Sequence, residues 1–184
     1  MNKTKKIQDS RITMNYLTLP HDANHAGNVH GGVIVKLMDT AGRMVAARHC
    51  RLRCVAAAMD RINFHNPVYA GELLNVRASV NYVSRRSMEI GARVESENLL
   101  SGEIRHIASS YLLFVPAEVK NKLGRIPRLI LSSHEDQRRN REAAMRRQAR
   151  RLALAAGREK RKTNEILRRM EPKHNNQYEK IKLL

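Results

Sequence analysis

Asn24-His25-Ala26-Gly27-Asn28-Val29-His30-Gly31-Gly32 runs straight into Val33-Ile34-Val35-Lys36-Leu37-Met38-Asp39, so a polar, glycine-bearing loop opens a helix. From Val33 to Ala47 that helix is apolar on almost every face, with Lys36, Asp39, Thr40 and Arg43 the exceptions, and is expected inside a fold. Gly31 and Gly32 let another backbone or a ligand come close. The unpaired N–H groups of a first helical turn favour a developing negative charge, which is the raw material of an oxyanion hole. Asp39 lies seven residues past Gly32, and a carboxylate on a buried helix is costly unless it is paired or useful.

On either side of this helix the periodicity changes to two. Ile12, Met14 and Tyr16 alternate with Thr13 and Asn15 and lead to Pro20, which predicts a short strand. Val55 to Phe64 reads as a buried strand that ends at His65-Asn66-Pro67. Val76, Ala78, Val80 and Tyr82 alternate before Ser84-Arg85-Arg86-Ser87, and Met88, Ile90, Ala92 and Val94 alternate after it, predicting a hairpin with one face in the core. A turn at Ser101-Gly102 precedes Arg105 to Val115, where Ile107, Ser109, Tyr111, Leu113 and Val115 share one face. Strand, long helix and then four strands describe an α+β domain, an antiparallel sheet wrapped around one central helix. One sheet around one helix leaves a hydrophobic surface for dimerisation to cover.

Two domains are expected: residues 1–130, and a basic helical tail over 131–184. His134 to Met170 holds one glycine and no proline and predicts a long exposed helix, with the last dozen residues disordered. The formal net charge of +18 is concentrated there, since residues 121–184 hold 19 Lys and Arg against 7 Asp and Glu. Arg138, Arg139, Arg146, Arg147, Arg150 and Arg151 form a stripe able to meet phosphates. The tail has no aromatic residue before Tyr178 for base stacking, so a solvated arm or an inter-subunit clasp is preferred to a nucleic-acid partner. No apolar run has membrane-spanning length and the Lys-rich start lacks a signal peptide's apolar segment, so no membrane insertion and a cytoplasmic location are expected. Cys50 and Cys54 are too few for a framework and are expected as ordinary reduced thiols.

The ordered motifs carry a resemblance. Asn-x-x-Gly-x-Val-His-Gly-Gly with Asp39 following, then Met59-Asp60-Arg61-Ile62-Asn63-Phe64, Pro67-Val68, Gly71-Glu72 and Asn81 to Glu89, resemble the hotdog-fold acyl-CoA thioesterases, specifically the cytosolic acyl-CoA hydrolase group. The resemblance covers about residues 11–130 and implies hydrolysis of a fatty acyl-CoA by a hotdog homodimer that assembles further into a hexamer, a trimer of dimers. It implies that Asn24 and Asp39 are the catalytic pair, contributed by opposite subunits. The sequence departs from the family's Gly-Arg-Ser/Thr-Ser turn, with Ser84 in the glycine position and Arg86 in the hydroxyl position, and Asn63 replaces a commoner Asp.

On this reading Asp39 is general base or nucleophile, Asn24 positions water or the carbonyl, and Gly31 and Gly32 supply oxyanion donors. Arg61, Ser84, Arg85, Arg86 and Ser87 are the candidates for CoA binding, because arginine suits phosphate. Val33, Leu37 and Met59 are candidates for the acyl tunnel. No metal and no cofactor are required, coenzyme A being part of the substrate. Two alternatives stand: a non-catalytic acyl-CoA sensor whose basic tail binds nucleic acid, and a hydroxyacyl-thioester dehydratase using His30 as base. The position of His30 just before the glycines favours a backbone-bonding role instead.

Overall fold

The glycine loop does open a long helix. A computed structural model, which describes residues 4–117 and 126–170, carries α1 over Gly31–Cys50. Before it come β1 (Thr4–Lys6) and β2 (Ile12–Leu17). After it come β3 (Cys54–Met59), β4 (Asn63–Phe64), β5 (Leu73–Val83), β6 (Met88–Glu97), β7 (Ile104–Pro116), β8 (Arg128–Ile130) and α2 (His134–Met170). The main sheet has the order β2-β5-β6-β7-β3, with β4 on β7, and every pairing in it is antiparallel. The predicted hairpin is present, with Val76 opposite Val94, Ala78 opposite Ala92 and Val80 opposite Ile90. The expected disordered end falls outside the described residues. The chain divides into compact units between Ala143 and Ala144. The first holds the main sheet, a two-stranded sheet of β1 and β8, α1 and the opening turns of α2. In the second, Arg151 to Lys162 are exposed throughout. No described helix is long and apolar enough to cross a membrane.

Ile34, Leu37, Met38, Ala41 and Val45 on α1 bury against Val76, Val80, Ile90, Leu112 and Phe114 of the sheet. At about 1.5–3 kcal/mol for each large aliphatic side chain fully buried, this one interface supplies much of the driving force for folding. Three expectations need correction. The helix is not buried all round, because Lys36, Thr40, Arg43 and Met44 are exposed and Val35 and Asp39 half-buried along one open strip. Residues 55–64 are not one buried strand. β3 and β4 pair with separate parts of β7, and β3 is the sheet's edge, with Val55 to Ala58 exposed in the single chain.

On β7 the core-facing set is Ala108, Leu112 and Phe114. Ser109, Tyr111, Leu113 and Val115 do share a face, but it is the outer one. Ile107 leaves it because the β6–β7 register shifts between Val94 and Glu95. A similar shift at Asn81 breaks the alternation before Tyr82. The parallel pair β1–β8 carried no periodicity long enough to be read.

His49 ties the end of α1 to the segment before β8. It is fully buried, with Ser10 Oγ 3.0 Å from Nδ1 and the Pro127 carbonyl 2.9 Å from Nε2. Burial holds its pKa below the ordinary histidine value, with the Pro127 bond opposing in part. The unfolded chain therefore takes up a proton near pH 6.5 that the native ring refuses, so the contribution of His49 is intact above about pH 6.5 and declines as pH falls. Unfolding free energies from urea titrations between pH 7.5 and 5.5 are expected to fall as pH drops, by no more than about 1.4 kcal/mol per pH unit from this group. His49→Gln is expected to flatten that limb.

Candidate active site

The Asn24 loop is held from both sides. Asp22 is buried, and its carboxylate accepts from Tyr16 Oη (3.0 and 3.1 Å) and from the Leu19 N–H (2.9 Å). The Asp22 carbonyl accepts from His30 N, and Val29 N donates to Val68 O, each at 2.8 Å. Below lies the turn carrying Val68, tied by Thr18 Oγ1 to the Tyr69 and Glu72 carbonyls. The buried Glu72 carboxylate receives Ser96 Oγ at 2.6 Å and pairs with Arg105. Within the loop, Asn24 Oδ1 accepts from the N–H groups of Ala26 (2.8 Å) and Asn28 (3.3 Å). The oxygen end of this exposed amide is thus engaged by its own loop, leaving the NH₂ end to meet a ligand.

At the start of α1, His30 is the N-cap, and its Nδ1 accepts from Gly32 N at 2.8 Å. The Gly32 amide is therefore already engaged, whereas that of Gly31 meets no acceptor among the described residues. His30 Nδ1 acts as an acceptor here, so Nε2 carries the ring proton in the neutral form, an arrangement that caps a helix rather than abstracting a proton from substrate. Gly31 faces Phe64, where an added Cβ would lie 3.2 Å from the ring.

Asp39 sits on the open strip with its side chain 27% exposed and paired to Arg43 at 2.7 Å. The seven residues from Gly32 to Asp39 make about 10 Å of helix on nearly the same side. One chain thus gathers Asn24, His30, Gly31 and Gly32 at one end of α1 and leaves Asp39 two turns away. Leu37 is buried, and Val33 and Met59 pack half-buried against the core.

The Ser84–Ser87 turn closes on its serines. Ser84 N donates to Ser87 O at 2.8 Å, the two Oγ atoms lie 2.8 Å apart, and Ser87 N donates to Ser84 Oγ at 3.1 Å. Ser84 thereby stabilises the turn through its hydroxyl, and Arg85 and Arg86 project exposed at its tip. Arg61, also exposed, is not beside them in the chain. Asp60 N bonds Tyr111 O, whereas Met88 faces Phe114, so Arg61 and the turn flank β7 on opposite sides, at least about 10 Å apart along it.

Sequence reasoning missed Asp22 and Glu72 as anchors of the loop. It also missed a cavity of about 570 Å³ on the outer face of the sheet, lined by Arg77, Arg93, Glu95, Tyr111 and Arg138 among others. None of the candidate catalytic or CoA-binding residues lines it. The outward positions of Arg77 and Arg93 could have been read from the strand alternation.

An antiparallel sheet packed against one long helix, with a glycine loop at that helix's N-terminus, is the hotdog architecture. The thioesterase superfamily model matches residues 26–102. A solved acyl-CoA hydrolase from Bacillus cereus is similar, with a TM-score of 0.79 at 32% identity, covering 88% of this chain and 98% of that one. A hexameric acyl-CoA thioesterase solved in its apo form has a TM-score of 0.78 at 29% identity, covering 83% and 98%. The Mus musculus cytosolic acyl coenzyme A thioester hydrolase is 37% identical over 139 residues, 71% of this chain and 36% of that protein. The chain spans about a third of the length of this relative and of its Homo sapiens counterpart. The chain belongs to the thioesterase superfamily.

Proposed function

We propose that this protein hydrolyses acyl-CoA thioesters at a site shared between two copies of the chain. The observation that carries this reading is the layout of α1. The first-turn amide at Gly31 and the Asp39 carboxylate belong to the same helix, yet they are about 10–12 Å apart along its axis. One thioester carbonyl cannot lie within about 3 Å of both. Two copies of α1 related by a twofold axis and running antiparallel bring the N-terminus of one against Asp39 of the other. The open strip of α1 and the exposed apolar edge of β3, where Val55 is 47% exposed, support that pairing. The hexameric state of one structural neighbour supports three such dimers, and the cytosolic naming of the mammalian relatives supports a cytoplasmic location.

In this scheme Asn24 donates its amide N–H to the carbonyl or the attacking water, and Asp39 of the partner subunit takes the water's proton or attacks the carbonyl itself. The Gly31 N–H, at the positive end of the helix, receives the oxyanion. Gly32 joins it only by giving up His30. The test is thiol release from a series of acyl-CoAs of increasing chain length. Release that saturates with substrate is expected, and tight binding without release would reject hydrolysis.

Arg85 and Arg86 carry the CoA phosphates in this reading. Arg85→Ser/Arg86→Ser is expected to raise KM for acyl-CoA by about tenfold, the equivalent of one charge-assisted bond, with kcat nearly unchanged. An acyl thioester of N-acetylcysteamine, which lacks the nucleotide, should show no such rise. An equal rise for both substrates would exclude contact with the phosphates.

A further inference from the structure

We propose that Cys50 and Cys54 form a reversible oxidation site, at which a peroxide converts the pair into an intrachain disulfide joining the end of α1 to the start of β3. Their sulfurs are already in contact at 3.3 Å. Closing to a bond of about 2.05 Å takes a small side-chain rotation. The approach is a product of the turn between them. In a continuing helix, residues four apart keep their Cβ atoms about 5–6 Å from one another, too far for a disulfide, which needs about 3.8 Å. Here α1 stops at Arg51, whose φ of 58° and ψ of 32° are left-handed, and the chain doubles back to deliver Cys54 onto Cys50.

The surroundings suit thiolate chemistry. Lys5 Nζ donates to the Arg48 and His49 carbonyls at 2.8 and 3.0 Å, which sets a cation at this helix end. Arg51 and Arg53 lie in the turn between the two, both exposed. The hydrogen bond from Cys54 pulls the Cys50 thiol down to about 7 against the effect of burial, while Cys54 is pushed up. The roles follow, with Cys50 the attacking thiolate and Cys54 the resolving thiol. Both are nearly buried, at 3% and 5% exposure, which favours a small oxidant over a bulky disulfide reagent.

The chemistry closes. Cys50 thiolate attacks one peroxide oxygen, the O–O bond breaks, and the departing alkoxide or hydroxide takes a proton. The Cys54 sulfur then attacks the Cys50 sulfenic acid, forming the S–S bond and releasing water. The two thiols supply two electrons, and the peroxide is reduced to an alcohol or water. The proposal does not depend on the hydrolase reading, because neither cysteine takes part in it.

Hydrogen peroxide applied to the full-length reduced protein is the test, followed by intact mass and a peptide map. The chain has only two cysteines, so a loss of two hydrogens per chain, a Cys50–Cys54 cross-linked peptide and full reversal by dithiothreitol are expected. Oxidised glutathione under the same conditions should leave the thiols free. In Cys54→Ser, oxidation should halt at a Cys50 sulfenic acid that dimedone traps. If that variant fails to fold, the wild-type map alone decides. Thiols that survive peroxide, sulfinic acid at either position, or cross-links between chains would overturn the proposal.

Discussion

Asp39→Asn is expected to lower kcat for acyl-CoA hydrolysis by about 10²- to 10⁴-fold, the range that a positioned proton acceptor contributes. The substitution keeps the shape of the side chain and its ability to accept from Arg43, and removes only the capacity to take a proton or attack as an anion. Asp39 lies on the open strip, so the fold should survive, and a thermal midpoint within a few degrees of wild type is the control. Asn24→Ala should lose rate as well, and the two variants together test the shared site. When they are mixed under conditions that exchange subunits, half of the dimers are hybrids. Each hybrid carries one site with both groups intact, so about a quarter of wild-type activity should return. A site built within one chain would regain none, and hydrolysis close to wild type in Asp39→Asn would remove Asp39 from the chemistry altogether.

The parts of this arrangement that could be read in the sequence are those set by short-range rules. Alternation through Val76–Val80 and Ile90–Val94 predicts the hairpin because those strands pack one face only. The glycine loop and α1 were legible for the same reason. The open strip was also written there, since Lys36, Asp39, Thr40 and Arg43 recur at helical spacing, but the apolar residues around them outweighed it. β3 misleads because Cys-Val-Ala-Ala-Ala-Met has the composition of a buried strand, yet its outer side is the sheet's edge in the single chain. On β7 both faces carry apolar residues, so composition cannot say which is inward, and the Val94/Glu95 shift reverses Ile107. Within the site, the spacing from Gly32 to Asp39 was legible. That His30 takes the Gly32 amide depends on a ring orientation, and that Asp22 and Glu72 anchor the loop depends on partners from Tyr16 to Arg105 that no local pattern connects.

At the helix–sheet interface, Gly42 of α1 is packed against Phe114 with no room for a side chain. A Cβ added there would sit 2.7 Å from Phe114 Cε2 and 3.1 Å from Cζ, and Phe114 is fully buried in β7. Alanine would gain about 1 kcal/mol of helix propensity, but crowding a packed core costs about 1–3 kcal/mol, so Gly42→Ala should be neutral to destabilising. Gly42→Val adds two more methyl groups in the same direction and a β-branched side chain to the helix. It should remove a large share of a stability that is only about 5–15 kcal/mol for a typical domain, leaving little folded protein at 37 °C. Urea denaturation of both variants measures this. The steric origin is separable from helix propensity by a double variant: Phe114→Leu withdraws the ring atoms that the new Cβ meets. Gly42→Ala should therefore be less damaging, or stabilising, in the Phe114→Leu background, a coupling that additive effects at independent positions would not produce. If Gly42→Val unfolds at the wild-type midpoint, α1 does not press on Phe114 at this position, and the close approach of helix and sheet that sets Asp39 on the open side would have to be redrawn.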